Sequence, residues 1–252
     1  MKIFNSNNLK IIAIISMLID HFALYNSLYI PNNLYIACRI IGRIAMPIFC
    51  FLIVQGYFNT SNLKKYILRL FLLAVVTQLG FIMLDIINIK YIGNTSILFL
   101  KLNLIFSFAI SIILIYLIKN ICYGIKNKNI SIYKILLQFL TVILILMLYK
   151  LIKFEYDIWV PVIILGIYGL QMLSNIIKNK LIYIILLIVV IVVPATINSY
   201  LGIYTVLSIP IILLYNGKLG KKNKLLRNLF YIIYPIQHFM YYIISLYAFS
   251  NP

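Results

Sequence analysis

Acidic side chains are nearly missing from this chain. Asp20, Asp85, Glu155 and Asp157 are its carboxylate residues, against 22 Lys and Arg, and the formal net charge is +18. Histidine is rarer still, with His21 and His238 alone. Ligands this few and this scattered exclude a metal centre built by protein side chains. Cys38, Cys50 and Cys122 are odd in number and form no CxxC, which excludes a disulfide framework and a zinc site. No P-loop, HExxH, GxGxxG or Ser-His-Asp order occurs, so nothing points to ATP hydrolysis, metalloprotease chemistry or a redox cofactor. No A-x-A-like cleavage site follows the first apolar run, which therefore reads as an uncleaved anchor.

What the chain does have is apolar surface. It is 64% hydrophobic and 10% charged, with a mean hydropathy of +1.07. A soluble globule of this size cannot bury so much, because much of any globule faces water. The apolar runs are long and continuous, unlike the alternating segments of an outer-membrane barrel. The reading is an all-α, polytopic transmembrane bundle forming a single membrane domain over residues 1–252, with no linker or repeat. At about 20 residues per crossing there are about nine spans, within a range of about eight to ten. They are Leu9–Tyr29, Arg39–Phe58, Tyr66–Leu84, Leu102–Ile118, Ile135–Leu151, Trp159–Leu173, Leu181–Ile197, Tyr200–Tyr215 and Leu229–Phe249. Pro194, Asn198, Gly202 and Pro210 interrupt the seventh and eighth.

The positive charges lie between spans, where they act as topology signals or touch anionic lipid or ligand, rather than forming a nucleic-acid surface. One set of loops holds Lys2 and Lys10, Lys64, Lys65 and Arg69, Lys119 to Lys134, Lys178 and Lys180, and Lys218 to Arg227. The other set holds fewer: Arg39, Arg43, Lys90, Lys101, Lys150 and Lys153. The first set is therefore expected in the cytoplasm, with the N-terminus inside and a bacterial cytoplasmic membrane as the setting.

Against this background Asp20-His21 stands out, inside the apolar run Leu9 to His21. An ionisable residue at membrane depth costs about 2.5–3.5 kcal/mol on insertion scales and marks a functional or clamping site. Arg39 and Arg43 lie four residues apart, hence on one face of the second span. Arg43 is expected to reach the depth of Asp20 and pair with it; Arg39 either joins that pair or snorkels to the interface. His21 lies about 16 Å along the helix from Lys10, and His238 about 16 Å from Arg227, which gives the two imidazoles one depth. His238 belongs to a stripe of Tyr231, Tyr234, Tyr241, Tyr242 and Ser245, beside Pro235. It is either a catalytic group or a hydrogen-bonded interhelical histidine. Asn103, Gln55 and Gln78 suit interhelical bonding. Thr60-Ser61-Asn62 reads as the cap of the third span, with Lys64 and Lys65 either meeting phosphates or marking topology. Asn94-Thr95-Ser96 fits a glycosylation sequon.

These residues together resemble the TraX family. The resemblance is carried by Leu9-Lys10 through Ser16 to His21, by Arg39-Ile40-Ile41-Gly42-Arg43 to Phe49, and by Gly56 to Asn62 with Lys64 to Arg69. Asn103 to Phe106, Glu155-Tyr156-Asp157 and Tyr234-Pro235-Ile236-Gln237-His238 follow in the expected order. It runs nearly the whole length and is most specific from Asp20 to Arg69; Lys119 to Lys153 resembles nothing in particular. Ile158-Trp159 stand where the family often carries a glycine after its acidic-aromatic element.

The family is named for a membrane protein that N-acetylates conjugative pilin and is similar to wider groups of membrane acyltransferases. The resemblance implies transfer of an acetyl group from cytoplasmic acetyl-CoA to a peptide, glycan or cell-wall acceptor outside. His21, held by Asp20, is the expected base, since histidine titrates near neutrality, or else a transient acyl carrier. Arg43 is the expected oxyanion or carboxylate partner, a tyrosine hydroxyl being the other oxyanion donor, and His238 a second catalytic or acceptor-orienting group. Lys64, Lys65 and Arg69 are expected at the CoA phosphates. Arg39, Asn103, Glu155, Asp157 and Tyr234 are expected to contact substrate. A proton-coupled transporter or flippase is the competing reading, and a non-catalytic interaction or immunity protein the third.

Overall fold

The computed structural model describes residues 2–92, 101–127, 131–221, 232–241 and 243–244. The Asn94 sequon, Lys128, Lys222, Lys224, Arg227, Tyr231, Tyr242 and Ser245 lie outside the described residues. Within them the chain is helical, with two isolated β-bridges and no strand. The helices are α1 Ser6–Tyr25, α2 Asn32–Gly42, α3 Ala45–Asn59, α4 Leu63–Ile92, α5 Leu104–Asn127, α6 Ile132–Leu151, α7 Trp159–Leu173 and α8 Lys180–Asn198. A 3-10 segment, Tyr200–Leu207, leads into α9 Ser208–Leu213, and α10 covers 232–241. Six stretches are long and apolar enough to cross a membrane, α2 and α3 counting together, and α7 and Tyr200–Leu213 are shorter apolar helices. With α10, these elements account for the nine expected spans.

Local chemistry sets the boundaries. Asn5 caps α1 by accepting the Asn8 N–H, and Asn179 caps α8. The cap of α4 is Asn62, which accepts the Lys65 N–H at 2.9 Å. Sequence reading began the second span at Arg39, but the helix begins at Asn32, directly after Pro31, whose φ of −56° suits a helix start. It then breaks at Arg43–Ile44. Pro47 has no N–H to give the Arg43 carbonyl, and its ring crowds that carbonyl. The break closes instead on tight bonds from the Arg43 N–H to the Ile40 carbonyl and from the Ile44 N–H to the Ile41 carbonyl. The eighth span is half 3-10 because Gly202 lies flush on the α8 backbone, where a Cβ would overlap the Ala195 carbonyl.

Ile48, Val54, Ile112, Ile115, Ile163, Ile164 and Ile191 form the fully buried centre, where α3, α5, α7 and α8 meet. Outward positions are apolar too: Phe71, Leu72, Leu79 and Met83 on α4 and Leu137, Phe139, Leu140 and Met147 on α6 are exposed. A surface of that kind is stable against lipid, not water. This is a membrane protein.

The two ends of the bundle are chemically different. At one end Phe4 bridges to Tyr215, and the Ser6 N–H bonds the Lys218 carbonyl. At the other, Leu102 bridges to Phe154, and the Glu155 N–H bonds the Leu102 carbonyl.

Candidate functional site

Asp20 is the anchor of the site. Its carboxylate receives Arg39 Nη1 at 2.8 Å and Arg43 Nη2 at 2.9 and 3.1 Å. The four-residue spacing that puts both arginines on one face thus makes a two-to-one clamp, and Arg39 joins it rather than snorkelling. Arg43 is braced further by its Nε, which donates to the Arg39 carbonyl. Gly42 sits between them, and a Cβ there would overlap the Asp20 carboxylate. Gly42→Val is therefore expected to cost about 1–3 kcal/mol by overpacking, read as a lower Tm in detergent.

The clamp corrects one expectation. Asp20 does not hold His21, because consecutive residues on an α-helix point about 100° apart. Asp20 faces α2, while the His21 ring meets the His238 ring, centroids 4.7 Å apart and tilted by 46°. Glu155 lines the same chamber as His21. It comes in on the loop between α6 and α7, where its Oε2 accepts the Leu104 N–H at 3.1 Å and the Tyr234 hydroxyl at 3.3 Å. A carboxylate at the first turn of α5 is favoured by the helix dipole. Burial raises the Glu155 carboxyl above the ordinary carboxylate range, opposed by His21, the Leu104 N–H, the Tyr234 hydroxyl and Lys101.

His238 is walled by rings. Phe81 packs at 4.5 Å and Tyr234 at 5.6 Å between centroids, and its Nδ1 lies 3.0 Å from the Tyr25 hydroxyl. Tyr241 ties the same helix to α1 by donating to the Leu18 carbonyl. His21 Nδ1 and His238 Nε2 are buried and have no hydrogen-bond partner among the described residues.

Asp20, His21, Glu155, Tyr156 and Tyr234 line a small chamber of about 30 Å³, room for about two waters. Met17, Phe49, Leu104 and Tyr234 also close the inner end of a larger apolar cavity of about 250 Å³. That cavity runs from Ser6, Lys10 and Leu219 at the Phe4–Tyr215 end, past Leu52, Ile53 and Tyr66. From Ser6 to Met17 it follows α1 for about 16 Å. The larger cavity thus runs from one end of the bundle to residues that it shares with the His21 chamber.

A family model described as TraX protein matches residues 5–245. The chain belongs to the TraX family. It is 30% identical over 118 residues to the probable fimbrial assembly protein FimC, serogroup H1, of Dichelobacter nodosus, covering 44% of this chain and 45% of that protein. It is 36% identical over 102 residues to the uncharacterized protein RP591 of Rickettsia prowazekii (strain Madrid E), covering 40% and 39%. The matched stretches span less than half the length of either relative. No solved structure matches the chain.

In this TraX-family chain the remaining candidates divide. Asn103 caps α5 by accepting the Ile105 N–H, and its Nδ2 donates to the Ala74 carbonyl and Gln78 Oε1. Its bonding capacity is taken up between α4 and α5. Asp157 is exposed, outside the chamber, with φ 47°. It takes the left-handed backbone, normally a glycine's, one position ahead of Ile158-Trp159. Lys64, Lys65 and Arg69 are exposed at the start of α4, beside Tyr66 at the larger cavity's outer part. Sequence reading missed Lys10 as a lining residue, although Lys10, Ile14, Met17 and His21 follow one helical face at steps of four, three and four. It also passed over Tyr25, Phe81 and Asp85, and no spacing in the sequence joins them to His238.

Proposed function

We propose that this chain is an integral membrane acyltransferase, carrying an acetyl group from acetyl-CoA to an amine or hydroxyl acceptor at the opposite side of the membrane. One observation carries the reading: an apolar cavity, the tunnel of this reading, runs from the basic end to Met17, Phe49, Leu104 and Tyr234, which also line the chamber of His21 and Glu155. The charged nucleotide would stay outside, among Lys64, Lys65, Arg69, Lys218 and Lys221, and the thin thioester arm would enter. By the positive-inside rule that end would face the cytoplasm of a bacterium, with the N-terminus inside. An extracytoplasmic peptide, glycan or cell-wall polymer would be the acceptor; the fimbrial-assembly name of the Dichelobacter relative supports the peptide.

In this reading His21 takes the proton from the acceptor as its nitrogen or oxygen bonds the thioester carbon. The C–S bond breaks with its electron pair on sulfur, and the thiolate recovers the proton. Tyr234 lines both cavities, and its hydroxyl would donate to the oxyanion by turning from Glu155 Oε2. Arg39 and Arg43 hold Asp20 and so fix α1 against α2, which sets where His21 stands.

Ile53 lines the tunnel and is nearly buried. Ile53→Trp, which fills it, is expected to raise KM for acetyl-CoA at least about tenfold with a smaller change in kcat. An unchanged KM in a protein of unchanged Tm would rule the tunnel out as the donor's route.

A further inference from the structure

We infer that Lys10 binds the phosphate nearest the donor's thioester arm, and that the Lys10–His21 spacing on α1 selects a phosphopantetheine thioester by its length. The inference rests on the acyl-transfer reading for the identity of that arm. Of the described residues that line the larger cavity, Lys10 alone is charged. Ser6 and Leu219 stand with it at the outer end, and the lining turns apolar inward, through Ile14 to Met17. A lysine near the end of a span commonly snorkels along lipid to the headgroups. Lys10 is on the wrong face for that. Ile11, Ile15 and Phe22 are exposed and mark the outward face of α1. Lys10 shares the other face with Ile14, Met17 and His21, all buried. An ammonium in an apolar wall loses hydration, and a phosphate seated beside it restores the charge pairing.

The length of the arm supplies the second observation. From Lys10 to His21 the helix advances about 16 Å. Between the sulfur and the first phosphorus, a phosphopantetheine thioester is a chain of about 13 bonds, which extends to about 16 Å at about 1.2 Å per bond. Both side chains lean toward the start of α1, Lys10 further because it is longer. Contacts of about 3 Å at the two ends of the arm take up that difference. With its phosphate on Lys10, the donor brings its thioester to Met17, Phe49, Leu104 and Tyr234, which the cavity shares with the His21 chamber. The Ser6 N–H bonds the Lys218 carbonyl, and Asn7 Nδ2 donates to the Lys221 carbonyl. These bonds hold Lys218 and Lys221 at the start of α1, on the nucleotide's side of Lys10. Lys10 thus reads the phosphate that every phosphopantetheine thioester carries, and the outer lysines read the part that CoA adds.

Three donors separate these contributions: acetyl-CoA, S-acetyl-phosphopantetheine and S-acetyl-pantetheine. Each is given to the full-length protein in nanodiscs, with hydroxylamine as acceptor probe and thiol release as the readout. In the wild type, KM for S-acetyl-pantetheine is expected at least about tenfold above that for S-acetyl-phosphopantetheine. Lys10→Met is expected to raise KM about 10–100-fold for both phosphorylated donors, the range for one lost bond to a charged group. S-acetyl-pantetheine, which has no phosphate to lose, should shift less than about twofold. Lys10→Arg keeps the charge and should hold KM for acetyl-CoA within about threefold. Equal KM for the phosphorylated and unphosphorylated donors in the wild type would overturn the inference and leave acyl transfer standing. A Lys10→Met loss shared alike by all three donors would mean a packing role and overturn it in the same way. A wild type that releases thiol from none of the three would overturn the acyl-transfer reading itself, and this inference with it.

Discussion

His21→Ala is expected to lose acetyl transfer by about 10²–10⁴-fold in kcat while remaining an inserted, folded bundle. The expectation of folding comes from what the ring touches. His21 is 8% exposed, and its Nδ1 has no hydrogen-bond partner among the described residues, so truncation orphans no described partner of that nitrogen. The Asp20 clamp on the neighbouring position stays whole, because it engages α2 and not the imidazole. The expectation of lost chemistry comes from the chamber. Its other titratable residues are Asp20, which is paired with two arginines, Glu155, Tyr156 and Tyr234. KM for acetyl-CoA should hold, since the tunnel lining is mostly apolar and His21 lies beyond it. Thiol release from acetyl-CoA, measured with and without hydroxylamine, reads both constants. Retained turnover in a folded variant would remove His21 as the base. Proton-coupled uptake into proteoliposomes with acetyl-CoA untouched would move the function to transport.

Asp20→Ala should act in the opposite way, on the fold before the chemistry. Removing one partner of a buried ion pair costs about 3–5 kcal/mol, because the other charge is left desolvated and alone. Here two guanidiniums depend on one carboxylate, with side-chain exposures of 16% for Arg39, 10% for Arg43 and 8% for Asp20. The Arg43 turn lies at the Pro47 break, so the clamp holds α2 to α1 at the end where its helix stops. Thermal unfolding in detergent should show the largest fall among single variants of the site. Arg39→Ala should fall less, since Arg43 keeps both Asp20 oxygens. A loss below about 1 kcal/mol for Asp20→Ala would place the pair among surface-like ion pairs and undo this account of α1–α2 packing.

Much of the site was legible in the sequence for one physical reason: charge is rare in an apolar helix, so each instance carries information. Asp20, Arg43 and the two histidines stood out that way, and equal depth was enough to bring His21 and His238 together. Adjacency in the chain misled at Asp20-His21, where helical geometry separates neighbours that look like a dyad. Glu155 was legible as a substrate contact but not as a neighbour of His21 in one chamber, because its position depends on a loop bonding to the first turn of α5. The tunnel escaped because α1, α3, α4 and α5 must all pack before it exists, although the Lys10–Ile14–Met17–His21 face marked one wall of it. Pro47 was visible as a helix-breaker, yet its effect on Arg43 appears only when the freed carbonyl is counted. Among the helices, span number followed from hydropathy, whereas the 3-10 segment after α8 needed the Gly202 contact with Ala195 to be explained.

The central claim, that an acyl-CoA arm reaches the buried imidazoles through the tunnel, is most directly tested by photolabelling. A short-chain acyl-CoA with a diazirine in its acyl group would be crosslinked to the purified protein, and the adducts mapped by mass spectrometry. Labelling at Met17, Phe49, Leu104 or Tyr234, suppressed by excess acetyl-CoA and by Ile53→Trp, is the predicted result. Labelling confined to the lipid-facing residues of α4 and α6, or unaffected by acetyl-CoA, would contradict it.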